Sequence, residues 1–174
     1  MRVWFSSDLH LGHDNVIKLS KRPFNSIEEM DETLIHNWNE LVKPEDVAYI
    51  LGDFAWRDVG KYASRLHGNI NLVLGNHDKR SQCEGHFCSV HDVMRAKVNG
   101  RFIFLSHFSH RVWDKSHYNS WHLFGHNHGR LPPFGKSFDV GVDAHFYQPI
   151  SFEQVEAAML TLPDNWNLLK KEDR

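Results

Sequence analysis

Five short blocks along the chain combine aspartate, asparagine and histidine, which bind transition metals through oxygen and imidazole nitrogen. In order they are Asp8-Leu9-His10, Gly52-Asp53, Gly75-Asn76-His77-Asp78, Ser106-His107 and Gly125-His126-Asn127-His128. Each block alone is a weak signal, because glycine, asparagine and aspartate are also ordinary turn residues. Each one, however, follows a short apolar run, and this repeated layout indicates that five strand ends supply one metal site.

The ligand types narrow the chemistry of that site. Asp8 and His10 are two residues apart in a strand-exit loop and can converge on one ion, and carboxylate plus imidazole suits manganese, iron, zinc, cobalt or nickel. An aspartate such as Asp53 can share its oxygens between two cations held about 3.5–4 Å apart, a separation useful for phosphate chemistry. If this block stood alone, a turn residue or a helix N-cap would be the favoured interpretation of Asp53.

The apolar runs are the elements that must position these residues. They are Arg2–Ser6, Val47–Leu51, Asn69–Leu74, Arg101–Leu105 and Trp121–Phe124. Amphipathic spacing predicts a helix over residues 26–42, opened by a Ser26–Glu29 capping box, and another from Val59 to Leu66, closed by Gly68. Strands that alternate with helices predict βαβ units and a parallel sheet whose loops gather at the carboxyl ends of the strands.

The second half of the chain follows a different pattern. Residues Val90–Val98 and Arg101–Leu105 flank Asn99-Gly100, which predicts a β-hairpin with a type I′ turn. Ser137–Asp143 is predicted to be a final buried strand. A capping box at Ser151 and Gln154 opens a last helix that stops by Pro163, and Lys170–Arg174 is expected to be a solvated tail. We expect a single domain over residues 1–174.

Composition limits the classes of function. The formal net charge of −2 argues against a general polyanion-binding surface. The sequence has neither a long apolar span nor a basic-then-apolar leader after Met1, so we expect a cytoplasmic protein with no membrane partner, either a monomer or a small homo-oligomer.

Two cysteines lie close to two histidines outside the five blocks. Cys83 and Cys88 are interleaved with His86 and His91. In a cytoplasmic protein the pair is expected to be two reduced thiols. The alternative is a small structural zinc site formed by the cysteines with one or both histidines.

In their order, Asp-x-His, Gly-Asp, Gly-Asn-His-Asp, His and Gly-His-x-His, the five blocks resemble those of the calcineurin-like metallophosphoesterase superfamily. The resemblance spans residues 8–128. It implies an α/β fold in which two mixed β-sheets pack face to face and are flanked by helices. The stretches from Asp8 to His13 and Arg22-Pro23-Phe24 suggest a compact subgroup found in bacteria and their phages.

The resemblance also implies a site with two divalent metal ions. One ion would be held by Asp8, His10 and His128, and the other by Asn76, His107 and His126, with Asp53 bridging them. Manganese is the ion expected first, with iron, zinc, nickel or cobalt as alternatives. Such a pair activates water as hydroxide and neutralises the charge that develops on a phosphoryl group.

Other residues of the same loops are candidates for catalysis and substrate binding. His77 is the candidate proton donor to the leaving group, with Asp78 orienting its imidazole. His13 is expected either to contact phosphate or support the ligands, or else to cap the helix that begins near Asn15. Arg111 and Lys115 are candidate phosphate contacts in the loop between two ligand blocks, and Trp113 or Tyr118 in that loop is a candidate for stacking on a base.

The sequence therefore predicts a metal-dependent phosphoesterase that acts on phosphodiesters in preference to phosphomonoesters. Its expected partner is a phosphate-ester substrate, with nucleotides and nucleic-acid ends among the candidates. The alternative is a catalytically silent metallophosphoesterase scaffold that binds protein or nucleic acid. Degraded ligand blocks would indicate such a scaffold, and a basic surface would indicate nucleic-acid binding.

Overall fold

A computed structural model describes residues 1–169 of the chain. The strands are β1 (Val3–Ser6), β2 (Val47–Leu51), β3 (Asn69–Val73), β4 (Ser89–His91), β5 (Val93–Val98), β6 (Arg101–Ser106), β7 (Trp121–Phe124), β8 (Ser137–Asp139) and β9 (Ile150–Ser151). The helices are α1 (Asp14–Leu19), α2 (Ile27–Leu41), α3 (Val59–Ala63), α4 (Arg80–Cys83) and α5 (Phe152–Thr161). The tail expected at Lys170–Arg174 lies outside the described residues.

The first sheet contains five strands in the order β4-β3-β2-β1-β9. Strands β1 to β4 pair in parallel, whereas β9 is antiparallel to β1. Helix α2 connects β1 to β2 and helix α3 connects β2 to β3, so the predicted βαβ units are confirmed. Parallel pairing brings the carboxyl ends of β1, β2 and β3 to one edge of this sheet.

The second sheet contains four strands in the order β5-β6-β7-β8. Strands β5 and β6 form the predicted hairpin, in which Val98 pairs with Arg101. Both turn residues have positive φ, 45° at Asn99 and 80° at Gly100, as a type I′ turn requires. Strands β6, β7 and β8 are parallel, so the ends of β6 and β7 also share an edge.

The two sheets pack face to face around an apolar core. Phe5, Leu51 and Val73 of the first sheet belong to the same buried cluster as Ile103 and Leu123 of the second. The other face of the first sheet packs against α2 and α3 in a separate cluster. The predicted architecture of two mixed sheets flanked by helices is confirmed.

Two strand predictions were wrong. Val90–Val98 is not one strand, because β4 pairs with β3 in the first sheet while β5 pairs with β6 in the second, and the chain passes between sheets at Asp92. The strand expected over Ser137–Asp143 ends at Asp139, and a short 3₁₀ helix follows over Val142–Ala144. The last strand of the described chain is β9, whose two residues are too few to give a sequence pattern.

The helix boundaries show why the capping predictions succeeded to different degrees. At α5, Ser151 and Gln154 form the predicted capping box. At α2, the Ser26 hydroxyl accepts the N–H of Glu29, but the Glu29 carboxylate accepts the N–H of Asn25 instead of that of Ser26. Helix α3 ends at Ala63, one turn before the predicted end at Leu66. None of the helices in residues 1–169 combines the length and apolarity that crossing a bilayer requires.

Candidate metal centre

The predicted ligand residues follow the carboxyl ends of five strands. Asp8 and His10 follow β1, Asp53 follows β2, Asn76 follows β3, His107 follows β6, and His126 and His128 follow β7. Backbone hydrogen bonds tie these loops together: the N–H of Asp8 donates to the carbonyl of Gly52, and that of His10 to the carbonyl of Asp53. The N–H of His126 donates to the carboxylate of Asp8, so the loops of both sheets meet at one place.

The first group of candidate ligands is Asp8, His10 and His128, whose nearest nitrogen and oxygen atoms all lie within 4.8 Å of one another. Nε2 of His10 and Nε2 of His128 are each 3.9 Å from Oδ1 of Asp8. The two imidazole rings stack with centroids 5.3 Å apart. This group has the size and the donor types of a site for one cation.

The second group is Asp53, His107 and His126, again with ligand atoms within 4.8 Å of one another. Nε2 of His107 is 3.4 Å from Oδ2 of Asp53 and 3.0 Å from Oδ1 of Asn76. Asn76 thus lies beside this group, as the resemblance implied. Oδ2 of Asp53 is also 3.5 Å from Nε2 of His10, so this one oxygen lies between the two groups.

Burial and hydrogen bonding indicate that these residues fit cations. Nε2 of His10 is buried and has no hydrogen-bond partner among residues 1–169, although buried polar atoms are nearly always paired. Burial lowers the pKa of His10 to about 3, which keeps the ring neutral. Its unprotonated nitrogen therefore shares a buried space with the carboxylates of Asp8 and Asp53, and a cation between them would satisfy all three.

Two histidines of the centre are oriented by groups behind them. Nδ1 of His107 lies 2.8 Å from the carbonyl oxygen of Leu51, and Nδ1 of His128 lies 2.7 Å from Oδ2 of Asp143. In each ring an N–H directed at its acceptor leaves Nε2 as the metal-binding atom. This arrangement orients both rings so that Nε2 faces the other candidate ligands.

Asp143 belongs to a buried network that the sequence did not predict. Its carboxylate accepts two hydrogen bonds from Arg22, at 2.9 and 2.7 Å, and the Arg22 guanidinium also donates to the carbonyl oxygens of Asp8 and Leu9. Burial alone would raise the pKa of Asp143, but the bonds from His128 and Arg22 outweigh it and bring the pKa down to about 2. Arg22 was noted only within Arg22-Pro23-Phe24, and no sequence pattern links it to Asp143.

The backbone at the centre adopts an unusual conformation. Five of the predicted ligands have positive φ: 58° at Asp8, 52° at His10, 53° at Asp53, 68° at His126 and 50° at His128. Such conformations disfavour residues with a β carbon and concentrate at functional sites. Gly75 and Gly125 allow the close packing, since a β carbon on them would collide with Asp53 and with Ser7 and Asp8, respectively.

His77 and His13 lie at the rim of the centre. The N–H of His77 donates to Oδ1 of Asp53 at 2.9 Å, and its Nε2 lies 4.0 Å from Oδ2 of the same carboxylate. The His77 side chain is 37% exposed. His13 occupies the N-cap position of α1, yet its side chain makes no capping bond and stacks on Trp56 with ring centroids 4.3 Å apart. Of the two roles expected for His13, side-chain capping is therefore excluded.

Asp78 does not orient the His77 imidazole. Its carboxylate accepts the backbone N–H groups of Gly75 and Asp53, both at 2.8 Å, and that of Phe54 at 3.0 Å. These three bonds join the loop after β3 to the loop after β2. The contact expected between Asp78 and the His77 imidazole is therefore replaced by bonds to the backbone, and a catalytic role for Asp78 stays a prediction.

The loop after His107 was expected to supply phosphate contacts and an aromatic platform. Neither Arg111 nor Lys115 lines the cavity at the metal centre: Nζ of Lys115 lies 4.4 Å from the centroid of Phe102, and the Arg111 guanidinium lies over Trp166. Trp113 is buried and donates to Ser120. Tyr118 lines two other cavities with Arg101.

A positively charged side chain that does lie at the centre is that of Arg130. It lines a cavity of about 310 Å³ together with His10, His13, Asp53, His77 and both histidines of the Gly-His-Asn-His block. Arg130 follows that block by two residues, and this proximity was the only sequence signal for it.

The cysteine cluster remains separate from this chemistry. Cys83 is buried and Cys88 exposed, and both are free thiols. Within residues 1–169, the side chains close enough to hold a metal are the two groups already described, and neither contains a cysteine. Burial raises the pKa of the Cys83 thiol to about 12, which opposes the thiolate form that zinc requires. The structure agrees with two reduced thiols.

Comparisons with known proteins agree with this geometry. A family model described as calcineurin-like phosphoesterase matches residues 1–171. An uncharacterized protein of Methanocaldococcus jannaschii is 32% identical over 166 residues, which cover 88% of this chain and 89% of that protein.

Solved structures share the fold. A protein of unknown function from Aquifex aeolicus superposes with a TM-score of 0.73 at 26% identity, covering 90% of this chain and 98% of that one. A structure described as a novel archaeal phosphodiesterase gives a TM-score of 0.51 at 18% identity, with 81% and 82% coverage.

Proposed function

Because this chain belongs to the calcineurin-like phosphoesterase family, we propose that it hydrolyses phosphate esters with the help of two divalent cations and prefers phosphodiesters. Asp8, His10 and His128 would hold one cation, and Asn76, His107 and His126 the other. Manganese is the first ion to test, since the oxygen and imidazole donors suit it without selecting against iron, zinc, nickel or cobalt.

The observation that carries this proposal is the position of Asp53. Its Oδ2 lies 3.5 Å from Nε2 of His10 in one group and 3.4 Å from Nε2 of His107 in the other. A carboxylate oxygen between two sets of ligands is suited to bind two ions at once. When bound, such a pair of ions lowers the pKa of water and neutralises charge on a phosphoryl group in the transition state.

Two residues of the cavity can act on the substrate directly. Attack of water on phosphorus breaks the bond to the leaving alcohol, and the oxygen of that alcohol must gain a proton. Nε2 of His77 can supply it, since this imidazole is partly exposed at the rim and its backbone is anchored to Asp53. Arg130 lines the same cavity and can pair with a nonbridging phosphate oxygen.

The experiment that tests this function is hydrolysis of bis-p-nitrophenyl phosphate and p-nitrophenyl phosphate by metal-stripped protein resupplied with manganese, nickel, zinc, cobalt, iron or magnesium. Wild-type protein would be compared with Asp53→Ala, His77→Ala and the control Asp92→Ala, whose side chain is 83% exposed in the wild type. We expect metal-dependent turnover that is higher for the diester, is retained in Asp92→Ala, and falls in both other variants.

The variants separate two roles. Asp53→Ala should lose metal stoichiometry along with activity, whereas His77→Ala should retain both metals and lose mainly kcat. A wild-type protein that binds two metals and cleaves neither ester with any ion would contradict the proposal. That result would favour a catalytically silent scaffold.

A further inference from the structure

A groove of about 400 Å³ adjoins the metal centre. Residues 109–111 line one part of it and residues 131–134 another, together with Phe124 and Ser137 of the second sheet. Leu131, Pro132, Pro133 and Phe134 make the lining largely apolar. The volume lies within the range of about 300–1,000 Å³ that is typical of sites for small organic ligands.

Each segment of the groove continues directly into the metal centre. Ser109 of the groove follows Phe108, whose ring lies 4.6 Å from that of His126 and 5.0 Å from that of His107. Phe124 ends the strand that leads to His126. Leu131 follows Arg130, which lines the cavity at the centre. A molecule bound at the centre can therefore extend into the groove.

Large apolar side chains in the groove and next to it are exposed to solvent. Phe108 and Phe134 are each 49% exposed, and Leu131 is 39% exposed. Exposed apolar side chains that cluster together mark binding surfaces, whereas exposed apolar residues scattered singly are ordinary on any protein surface. Phe108 and Phe134 can also present aromatic faces to a ligand.

A second exposed aromatic ring lies near a different part of the centre. Trp56 is 45% exposed, and its ring lies 5.5 Å from that of His77. His77 is the residue proposed to protonate the leaving group, so the leaving group belongs beside Trp56. Phe108 contacts His107 and His126 instead. The groove is thus available to a substituent other than the leaving group.

We propose that this groove, together with Phe108 beside it, binds the organic substituent that stays on phosphorus when a phosphodiester is hydrolysed, and that this substituent carries an aromatic base, as a nucleoside does. The inference rests on the proposed function. In the reaction, water adds to phosphorus, the bond to the leaving alcohol breaks, and that alcohol gains a proton, while the second ester bond stays intact. A monoester has no second substituent and leaves the groove unused.

The test compares two diesters that share one leaving group, thymidine 5′-p-nitrophenyl phosphate and methyl p-nitrophenyl phosphate, with manganese-loaded protein. Because stacking of one base contributes about 1–3 kcal/mol, we expect wild-type kcat/KM to be about 5- to 150-fold higher for the thymidine ester. Phe108→Ala and Phe134→Ala should reduce this ratio to within about twofold of one. Phe108→Tyr, which keeps an aromatic ring, should preserve most of it.

A matched control is Phe146→Ala, which removes a phenyl ring that is 89% exposed and lies outside the groove. This variant should keep the wild-type ratio. If the wild type and both groove variants show the same ratio of kcat/KM values for the two esters, the inference is overturned while the proposed hydrolase function stands. Failure of wild-type protein to cleave any of these esters, or the two p-nitrophenyl phosphates, would instead overturn the proposed function and this inference with it.

Discussion

Oδ2 of Asp143 lies 2.7 Å from Nδ1 of His128, and the same carboxylate forms a bidentate pair with the buried guanidinium of Arg22. Asp143 therefore links a candidate metal ligand to the carbonyl oxygens of Asp8 and Leu9, which Arg22 contacts. One carboxylate orients His128 and, through Arg22, holds the loop that carries Asp8.

From this relationship we expect Asp143→Asn to weaken manganese binding at the first group by about 10- to 100-fold, the usual effect of removing a carboxylate behind a histidine ligand. Titration calorimetry of metal-stripped protein measures this loss. The control Asp92→Asn alters a carboxylate whose side chain is 83% exposed and should bind as the wild type does. Unchanged affinity in Asp143→Asn would show that His128 needs no support from this carboxylate.

Asp78 should matter for stability because its carboxylate accepts three backbone N–H groups. Asp78→Ala leaves these donors without their acceptor, so we expect the free energy of unfolding to fall by about 3–5 kcal/mol. Urea denaturation measures the change. Asp78→Asn keeps one acceptor oxygen and should lose less. Unchanged stability in Asp78→Ala accompanied by lost activity would support the catalytic role that the sequence suggested.

His122 should make the protein sensitive to acid. It is fully buried between the hydroxyls of Ser106 and Ser137, and burial lowers its pKa to about 3. The unfolded chain takes up a proton near the ordinary histidine value of about 6.5, so stability falls as pH drops from that value toward the folded pKa.

From pH 7 to pH 5 this histidine alone should cost about 2 kcal/mol of unfolding free energy. Urea denaturation at both pH values gives the loss of unfolding free energy from pH 7 to pH 5 for the wild type and for His122→Gln. The difference between these two losses is the contribution of His122. If both proteins lose the same amount of stability between pH 7 and pH 5, the pKa of His122 does not differ between the folded and unfolded states.

Gly75→Ala should damage the metal centre without unfolding the protein. A β carbon there would meet the carboxylate and backbone nitrogen of Asp53. We expect fewer than two bound manganese ions per chain, measured by elemental analysis, with an unchanged circular dichroism spectrum. Gly60→Ala is the control, because Gly60 has no positive φ and a β carbon there would meet the exposed ring of His86, which can move aside. Full metal content in Gly75→Ala would mean that Asp53 can shift and still bind.

Arg130 should contribute to substrate binding, whereas Lys115 should not. Since Arg130 is exposed, its pairing with a phosphate oxygen is worth the lower end of the range for charged hydrogen bonds, and Arg130→Ala should raise KM by about tenfold. Lys115→Ala should keep the wild-type KM, because this ammonium lies over Phe102. Steady-state kinetics with bis-p-nitrophenyl phosphate tests both. The reverse pattern would reinstate the phosphate contact first expected at Lys115.

Sequence reasoning located the candidate ligands because it depended on local order. Each ligand block directly follows an apolar strand, and parallel strands present their carboxyl ends at one edge, so Asp8, Asp53 and Asn76 had to converge once β1 to β3 were recognised. The resemblance then supplied which residues share an ion. Both inferences needed only short stretches of chain.

The residues that sequence reasoning missed, or gave different contacts, depend on interactions that no local pattern encodes. Arg22 and Asp143 are 121 residues apart, and their pairing follows from the packing of the completed fold. Asp78 has the same residue type and loop position as a catalytic aspartate, and only the fold shows that its carboxylate accepts backbone N–H groups. The passage from β4 to β5 is similar, because the alternating pattern continues while the strand changes sheets.

The ligand groups draw on both sheets, and this dictates when the centre can form during folding. The carboxylate of Asp8 accepts the N–H of His126, a residue 118 positions further along the chain. Closing a loop of that length is entropically costly and must be repaid by the packing of Phe5, Leu51 and Val73 against the second sheet. Because the candidate ligands of each group come from both sheets, we expect the sheets to dock before a cation binds. Under the proposed function, metal supply would then set how much of the folded protein is active.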